Sequence, residues 1–386
     1  MKKYEKIKAL FSCFSSVVLI WSLGVTSSLQ AYSGWGHYGT SFTLASKSKL
    51  DEVSEFREQL EKVQKVLGDY FKDMSSNGSN IEGEWWKTLH DGIIDSVYIH
   101  NNEEKSDLRR FLQNVNKLEE YPARVLLGVS TSGVMLSAVT QANFKKAICV
   151  DRNVLSIEVY FPILLTLIAL APNRMAFLSL LSARAVHHSA PSELSVLEMR
   201  ELLETAEPED ASTVSFVNWF LIKIFPEKYF LHQMKENLSA EMRDASFPGK
   251  MVSYLHSRKG FRKIKNMLSS MDFPESYLAS EDNFQKLRNF ILKGGFSGAH
   301  FDLSKPFPQT FVSKIKSWGQ ISGLYFSNLI DYFHNKKELY EGFYGNVLEL
   351  YYLRESNHIP ILYGSQLYSN KIPWNRTIRE WYDSSS

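Results

Sequence analysis

The sequence predicts an α/β fold: a mostly parallel sheet with a large helical insertion and an N-terminal helical cap. Three observations lead there. Residues 124–129 read Arg-Val-Leu-Leu-Gly-Val, an apolar run of strand length, as expected of a strand buried on both faces. A Gly/Ser turn and a short apolar helical stretch follow, and residues 146–151 (Lys-Ala-Ile-Cys-Val-Asp) make a second such strand closed by an acid. Strand character then returns in residues 298–302, 323–328 and 359–363 with helical periodicity between. Strands alternating with helices imply βαβ crossovers and parallel pairing.

Composition limits the function classes. The chain has 386 residues, 44% hydrophobic and 22% charged, enough to build a full core. A formal net charge of +2 and the absence of a basic run give no electrostatic case for a nucleic-acid partner. Lys2, Lys3, Lys6 and Lys8 precede an uncharged stretch over residues 9–30, with Ala31 at its end. That order predicts a signal peptide over residues 1–31 and a secreted or periplasmic protein. The alternative is a membrane anchor, but the strongly apolar part, residues 17–25, is shorter than the ~20 residues a span needs. No stable membrane span is expected once the signal is removed. Cys13 lies inside the signal and lacks the small-residue context of a lipidation site. Cys149 is then alone, which excludes an internal disulfide. Between Ile148 and Val150 it reads as a small buried hydrophobe.

Residues 32–122 are expected to form a linker and the helical cap. The linker is the Gly, Tyr and Ser stretch over 32–46. Apolar residues at Val53, Phe56, Leu60, Val63, Leu67 and Tyr70 predict a helix over 50–74. Trp85, Trp86, Ile93, Ile94, Val97 and Tyr98 suggest a short helix or strand pair, and residues 104–119 a further helix. The α/β domain is expected over 123–386: a strand at 125–129, a helix at 133–143, a strand at 147–150 and a long helix at 154–170. Residues 174–292 are helical in pattern and broken by prolines, which predicts an insertion outside the sheet. A helix over 309–318, a strand over 323–328, a helix over 329–344 and a strand over 359–363 complete the expectation.

The candidate site residues lie where strands end. The turn Gly128-Val-Ser130-Thr-Ser-Gly133 follows a strand and opens a helix, a position where backbone amides can meet a cofactor. It has fewer glycines than a close-approach loop prefers, so a purely structural turn is the competing reading. Asp151 ends the second strand about 20 residues past that turn, the usual place for an acid that holds ribose hydroxyls. It could equally cap the next helix. Asp302 ends a later strand and would face the same crevice, or cap a helix or serve as a turn carboxylate. Asn328 ends the strand after that, where a carboxamide can both donate to and accept from a substrate or cap a helix. Gly294-Gly295 precedes a strand and reads as a turn. His187-His188 lacks acids or cysteines at metal spacing, and Trp374 and Trp381 read as packing residues.

Several runs together resemble an uncharacterised bacterial family with an S-adenosylmethionine-dependent methyltransferase-like fold. They are Arg124-Val-Leu-Leu-Gly-Val, Ala147-Ile-Cys-Val-Asp-Arg152, Met175-Ala-Phe-Leu-Ser-Leu-Leu-Ser-Ala-Arg184, Tyr277-Leu-Ala-Ser-Glu-Asp-Asn-Phe284 and Gly323-Leu-Tyr-Phe-Ser-Asn-Leu-Ile-Asp-Tyr-Phe333. Their order and spacing cover roughly residues 65–335. The resemblance implies a Rossmann-like sheet with a helical insertion, S-adenosylmethionine as cofactor, and a crevice formed by the turn at Gly128, by Asp151 and by Asp302. This chain departs from the family at the first turn, where Gly128-Val-Ser-Thr stands in place of Gly-Val-Gly-Pro.

Three function classes follow. A methyltransferase needs chiefly alignment of donor and acceptor, with Gly128, Ser130, Asp151 and Asp302 on the cofactor and Asn328 facing an unknown acceptor. A serine hydrolase would use Ser130, Asp302 and His358 in the chain order Ser, Asp, His, but Ser132 stands where the elbow requires glycine. A non-catalytic exported binding or effector protein would keep the fold alone.

Overall fold

The computed structural model describes residues 49–76, 97, 99, 105–116, 124–129, 133–184, 186, 193–208, 221, 224–225, 247–327, 337–352, 361–364 and 374–377. The expected signal peptide, the linker, the segment at 85–98 apart from Val97, and the start of the helix expected at 329 lie outside these residues.

Two helices, α1 (Lys49–Ser76) and α2 (Lys105–Asn116), precede the sheet. Then come β1 (Arg124–Val129), α3 (Gly133–Gln141) and β2 (Phe144–Asp151). Five strands, in the order β3-β2-β1-β4-β5, pair in parallel, with β3 Phe296–His300, β4 Gln320–Tyr325 and β5 Ile361–Gly364. A sixth, β6 (Trp374–Thr377), pairs antiparallel at the edge of β5. The fold is therefore α/β with a mostly parallel sheet. β6 has no counterpart in the sequence expectation, which takes Trp374 as a packing residue.

Side chains alternate across the sheet as the strand period of two requires. Leu126, Ala147, Cys149, Phe296 and Tyr325 point into one core, and Val125, Leu127, Ile148, Val150 and Leu324 into the other. The second face is covered by α10 (Gln309–Trp318), through Phe311, Val312 and Ile315, and by α11 (Lys337–Tyr352), through Phe343 and Val347. The first face carries the larger cluster. It joins α1 and α2 to α5 (Arg174–Ser182), α6 (Val196–Thr205), α7 (Phe247–His256), α8 (Arg258–Ser270) and α9 (Glu281–Leu292). The described part of 174–292 is helical apart from turns and an isolated bridge, Arg184 to Pro208. It lies outside the sheet yet shares one continuous core with it.

Several boundaries differ from the sequence expectation: β2 starts at Phe144, β4 spans Gln320–Tyr325 and so stops short of Asn328, and α11 runs on to Tyr352. The long helix at 154–170 contains a π-helical turn, Ser156–Tyr160, before α4 (Phe161–Leu170). Phe161 N–H bonds the Ser156 carbonyl five residues back, and Pro162, next in line, has no N–H for the Glu158 carbonyl. The wider turn absorbs that break. β3 ends at His300, so Asp302 sits in the following turn and not on the strand.

Candidate functional site

The carboxyl ends of β1, β2 and β3 lie side by side, with Val129 opposite Val150 and Asp151 opposite His300. In open α/β sheets this edge is where ligands bind. Asp151 is the last residue of β2, and its Oδ1 accepts from Asn153 N–H at 2.7 Å. Its own carbonyl accepts from Phe301 N–H at 3.0 Å. Burial pushes the Asp151 carboxyl up to about 7, against the pull of the Asn153 and Arg152 N–H groups. The side chain thus serves as an acceptor that shapes the loop after β2. A carboxylate has about four lone-pair sites, so accepting these N–H groups leaves room for hydroxyl donors.

Asp302 lies beside it. Its Oδ1 accepts from Ser304 N–H at 3.0 Å and the Ser304 hydroxyl at 2.7 Å, and Arg152 Nε is 3.8 Å from Oδ2. Burial raises its pKa, but the Ser304 bonds and the charges of Arg152 and Lys305 outweigh it and hold the group below the ordinary carboxylate value. His300 Nε2 is 2.9 Å from the Arg152 carbonyl. Asp151 and Asp302 are thus brought to one edge of the sheet, with the Arg152 side chain 3.8 Å from Asp302. The turn role foreseen for Asp302 is the one its bonds display.

Gly128 is buried in β1. A Cβ there would come within 2.5 Å of Met135 Sδ and 2.8 Å of the Tyr325 carbonyl oxygen. Packing between β1, α3 and β4 therefore demands glycine at this position. Gly133 opens α3, where a Cβ would meet Met271 Sδ at 2.9 Å and the Tyr277 ring at 3.0 Å. Ser130, Asn328 and His358 lie outside the described residues. No described contact links Asp302 to a histidine partner of a nucleophile.

The structure adds residues that the sequence reading missed. Tyr70, from α1, donates to the Ile157 carbonyl at 2.8 Å. Burial, then the neighbouring Cys149, Glu158 and Asp151, raise its hydroxyl pKa well above the phenol value. Four ionisable groups therefore converge under the end of β2. Glu158 is 1% exposed within the π-helical turn, a backbone feature frequent at functional sites. A lone acid inside the apolar stretch 154–170 was the signal that could have marked it. Tyr160 and Tyr277 are fully buried, and neither hydroxyl has a hydrogen-bond partner among the described residues. Burial raises both, and Tyr160 adds to the shift at Tyr277. Tyr277 reaches the start of α3 from a loop no local pattern connects to it, its N–H bonded to Ser137 Oγ at 3.1 Å.

Among the described residues no helix is long and apolar enough to cross a membrane, and no cluster of three or more His, Cys, Asp or Glu could hold a metal ion. No protein-family model matches the chain, and no curated protein matches it in sequence.

Proposed function

We propose that the chain is a methyltransferase-like protein on a Rossmann-like sheet, binding S-adenosylmethionine at the carboxyl edge and passing its methyl group to a separate acceptor. The observation that carries this reading is the parallel order β3-β2-β1-β4-β5 with Asp151 at the carboxyl end of β2. The strand order reverses between β1 and β4, and such switch points open the crevice in which nucleotides bind. Asp151 has the acceptor capacity for ribose hydroxyls, and Asp302 lies beside it for the base. S-adenosylmethionine, held by Asp151 and Asp302, would supply an electrophilic methyl group for the acceptor. The chain's own contribution is alignment and exclusion of water, with Ser130 and Asn328 assigned to cofactor and acceptor in the same proposal. The helices before β1 and those of residues 174–292 are its cap and insertion. Residues 1–31 would direct the protein to the periplasm or outside the cell.

A calorimetric titration of the full chain with S-adenosylmethionine and with its demethylated product tests this. Saturable heat with both supports it, and no heat at millimolar ligand overturns it. A second reading, a non-catalytic exported binding or effector protein, is favoured by one specific observation. The space in front of Gly128, where a cofactor-approach glycine would leave room, is filled by Met135 and Tyr325.

A further inference from the structure

We propose that the helical region holds a second binding site, for a phosphate-bearing anion, in a cavity between the ends of α5, α7 and α8. The cavity has a volume of about 830 Å³ and is walled by Arg184, Arg258, Lys259, Arg262 and Lys265 around the ring of Phe261. Among its described lining residues there is no carboxylate. The whole chain carries a net charge of only +2, so composition alone does not account for five cations around one hollow.

Local structure makes the concentration more pronounced. Helix α8 begins after Ser257, whose hydroxyl accepts from Gly260 N–H at 3.2 Å, and its first turn contains no acid. Arg258 and Lys259 thus occupy the positive end of the helix dipole, where cations are disfavoured and anions bind. Arg262 follows one turn later on the same face. Gly260 lies so close to the Tyr254 carbonyl that no side chain fits there, which fixes α8 against α7 and sets the direction of that face. A run of charge on a helix is usually a solvated surface. Here a fifth cation comes from a different element and is held in place.

Arg184 is that cation. α5 ends in Ala183, whose φ of 48° turns the chain so that Arg184 bridges to Pro208. Its guanidinium donates to the Ala206 carbonyl at 2.8 Å and lies over the Phe261 ring, 4.2 Å from its centre. A planar guanidinium already held in place loses little freedom on gripping a phosphate. Lys265 also faces the Phe261 ring, at 5.7 Å, while pairing with Glu204 at 3.2 Å. The volume falls in the range of about 300–1,000 Å³ typical of small-molecule pockets. It suits a multiply charged phosphate group on a larger body, either a soluble phosphorylated compound or a phospholipid headgroup.

The test uses the full chain and two probes: sodium pyrophosphate by calorimetry, and vesicles of phosphatidylcholine with or without phosphatidic acid by co-sedimentation. Binding to pyrophosphate alone assigns a soluble ligand, and binding to the phosphatidic-acid vesicles assigns a headgroup. In either arm Arg258→Glu/Arg262→Glu should lose affinity at least tenfold, while Lys316→Glu, an exposed charge on α10, should stay within twofold. If the double reversal disturbs the helix by circular dichroism, Arg258→Gln/Arg262→Gln should still lose several-fold. Asp151→Ala should leave pyrophosphate or vesicle binding intact, because the site is separate from the sheet edge. The proposal falls if neither probe binds, if the arginine variants bind as well as the parent, or if Lys316→Glu loses as much as they do.

Discussion

The hydroxyl of Tyr70 occupies the space that a side chain on Gly298 would need, and from there it donates to the Ile157 carbonyl at 2.8 Å. This one contact ties helix α1 to strand β3 and to the π-helical turn after β2. It makes the N-terminal helix part of the candidate site's floor. Gly298→Ala should destabilise the protein by about 1–3 kcal/mol through overpacking. Tyr70→Phe on its own should cost ~1–3 kcal/mol by leaving a buried carbonyl without its donor. Because both changes act on the same space, the double variant should lose less than the sum in urea unfolding. Strict additivity would show that the two residues do not compete there.

Gly128 makes a related prediction. Gly128→Ala should cost about 1–3 kcal/mol in the absence of any ligand, because the new methyl meets Met135 Sδ and the Tyr325 carbonyl. A variant of unchanged stability that loses only S-adenosylmethionine binding would assign the glycine to the ligand instead of to packing.

Asp151 should make stability depend on pH in an unusual direction. Its pKa rises from 3.8 to about 7 on folding, so between those values the native state holds a proton that the unfolded chain has released. Stability from this group is therefore present below pH 4 and is lost as pH rises towards 7. Asp151→Asn keeps an acceptor for Asn153 N–H and removes the titration. It should gain about 1–3 kcal/mol over the parent at pH 8 and almost nothing at pH 4. Ribose hydroxyls would favour the ionised form, so S-adenosylmethionine affinity should increase as pH rises through 7. Asp151→Ala should weaken it by about 1.5–3 kcal/mol, while Asn328→Ala should leave affinity unchanged and slow only methyl transfer. Calorimetry across pH 5–8 checks both.

His256 should act in the opposite sense. Burial, partly offset by the Leu180 carbonyl, lowers its pKa from 6.5 to about 4. Between those values the unfolded chain binds a proton that the native state refuses, so stability falls as pH drops from 6.5 towards 4. His256→Gln, whose amide can still donate to Leu180, should remove about 1–3 kcal/mol of that acid-dependent loss. Urea midpoints at pH 4.5 and 7.5 would reveal it, and parallel pH profiles for variant and parent would refute it.

The apolar runs at 125–129 and 147–150 announced adjacent strands because a strand buried on both faces has no polar side to interrupt the pattern. The same logic hid the beginning of β2. Phe144-Lys-Lys looks unlike a buried strand, yet Lys146 is accommodated by Asp73 from α1 at 3.2 Å and the Trp318 ring of α10 at 5.3 Å. Those partners lie about 70 and 170 residues away in sequence, and no local pattern encodes them. Asp302 was misplaced onto a strand for the complementary reason. Ala-His-Phe-Asp continues the alternation, but Asp302 bonds forward to Ser304 and turns the chain.

The sequence by itself determined the α/β class, the centres of β1 and β2, the acid at the end of β2 and the helical character of the described part of residues 174–292. These follow from periodicity and side-chain size, which act over a few residues. Only the tertiary structure decided the strand order, the shared core under sheet and helices, the placing of Tyr70 and Tyr277 beneath the carboxyl edge, and the convergence of Arg184 with the basic face of α8. Burial energies and charge fields depend on what lies nearby in space. A residue's neighbours along the chain do not specify which distant groups will desolvate it or share its charge.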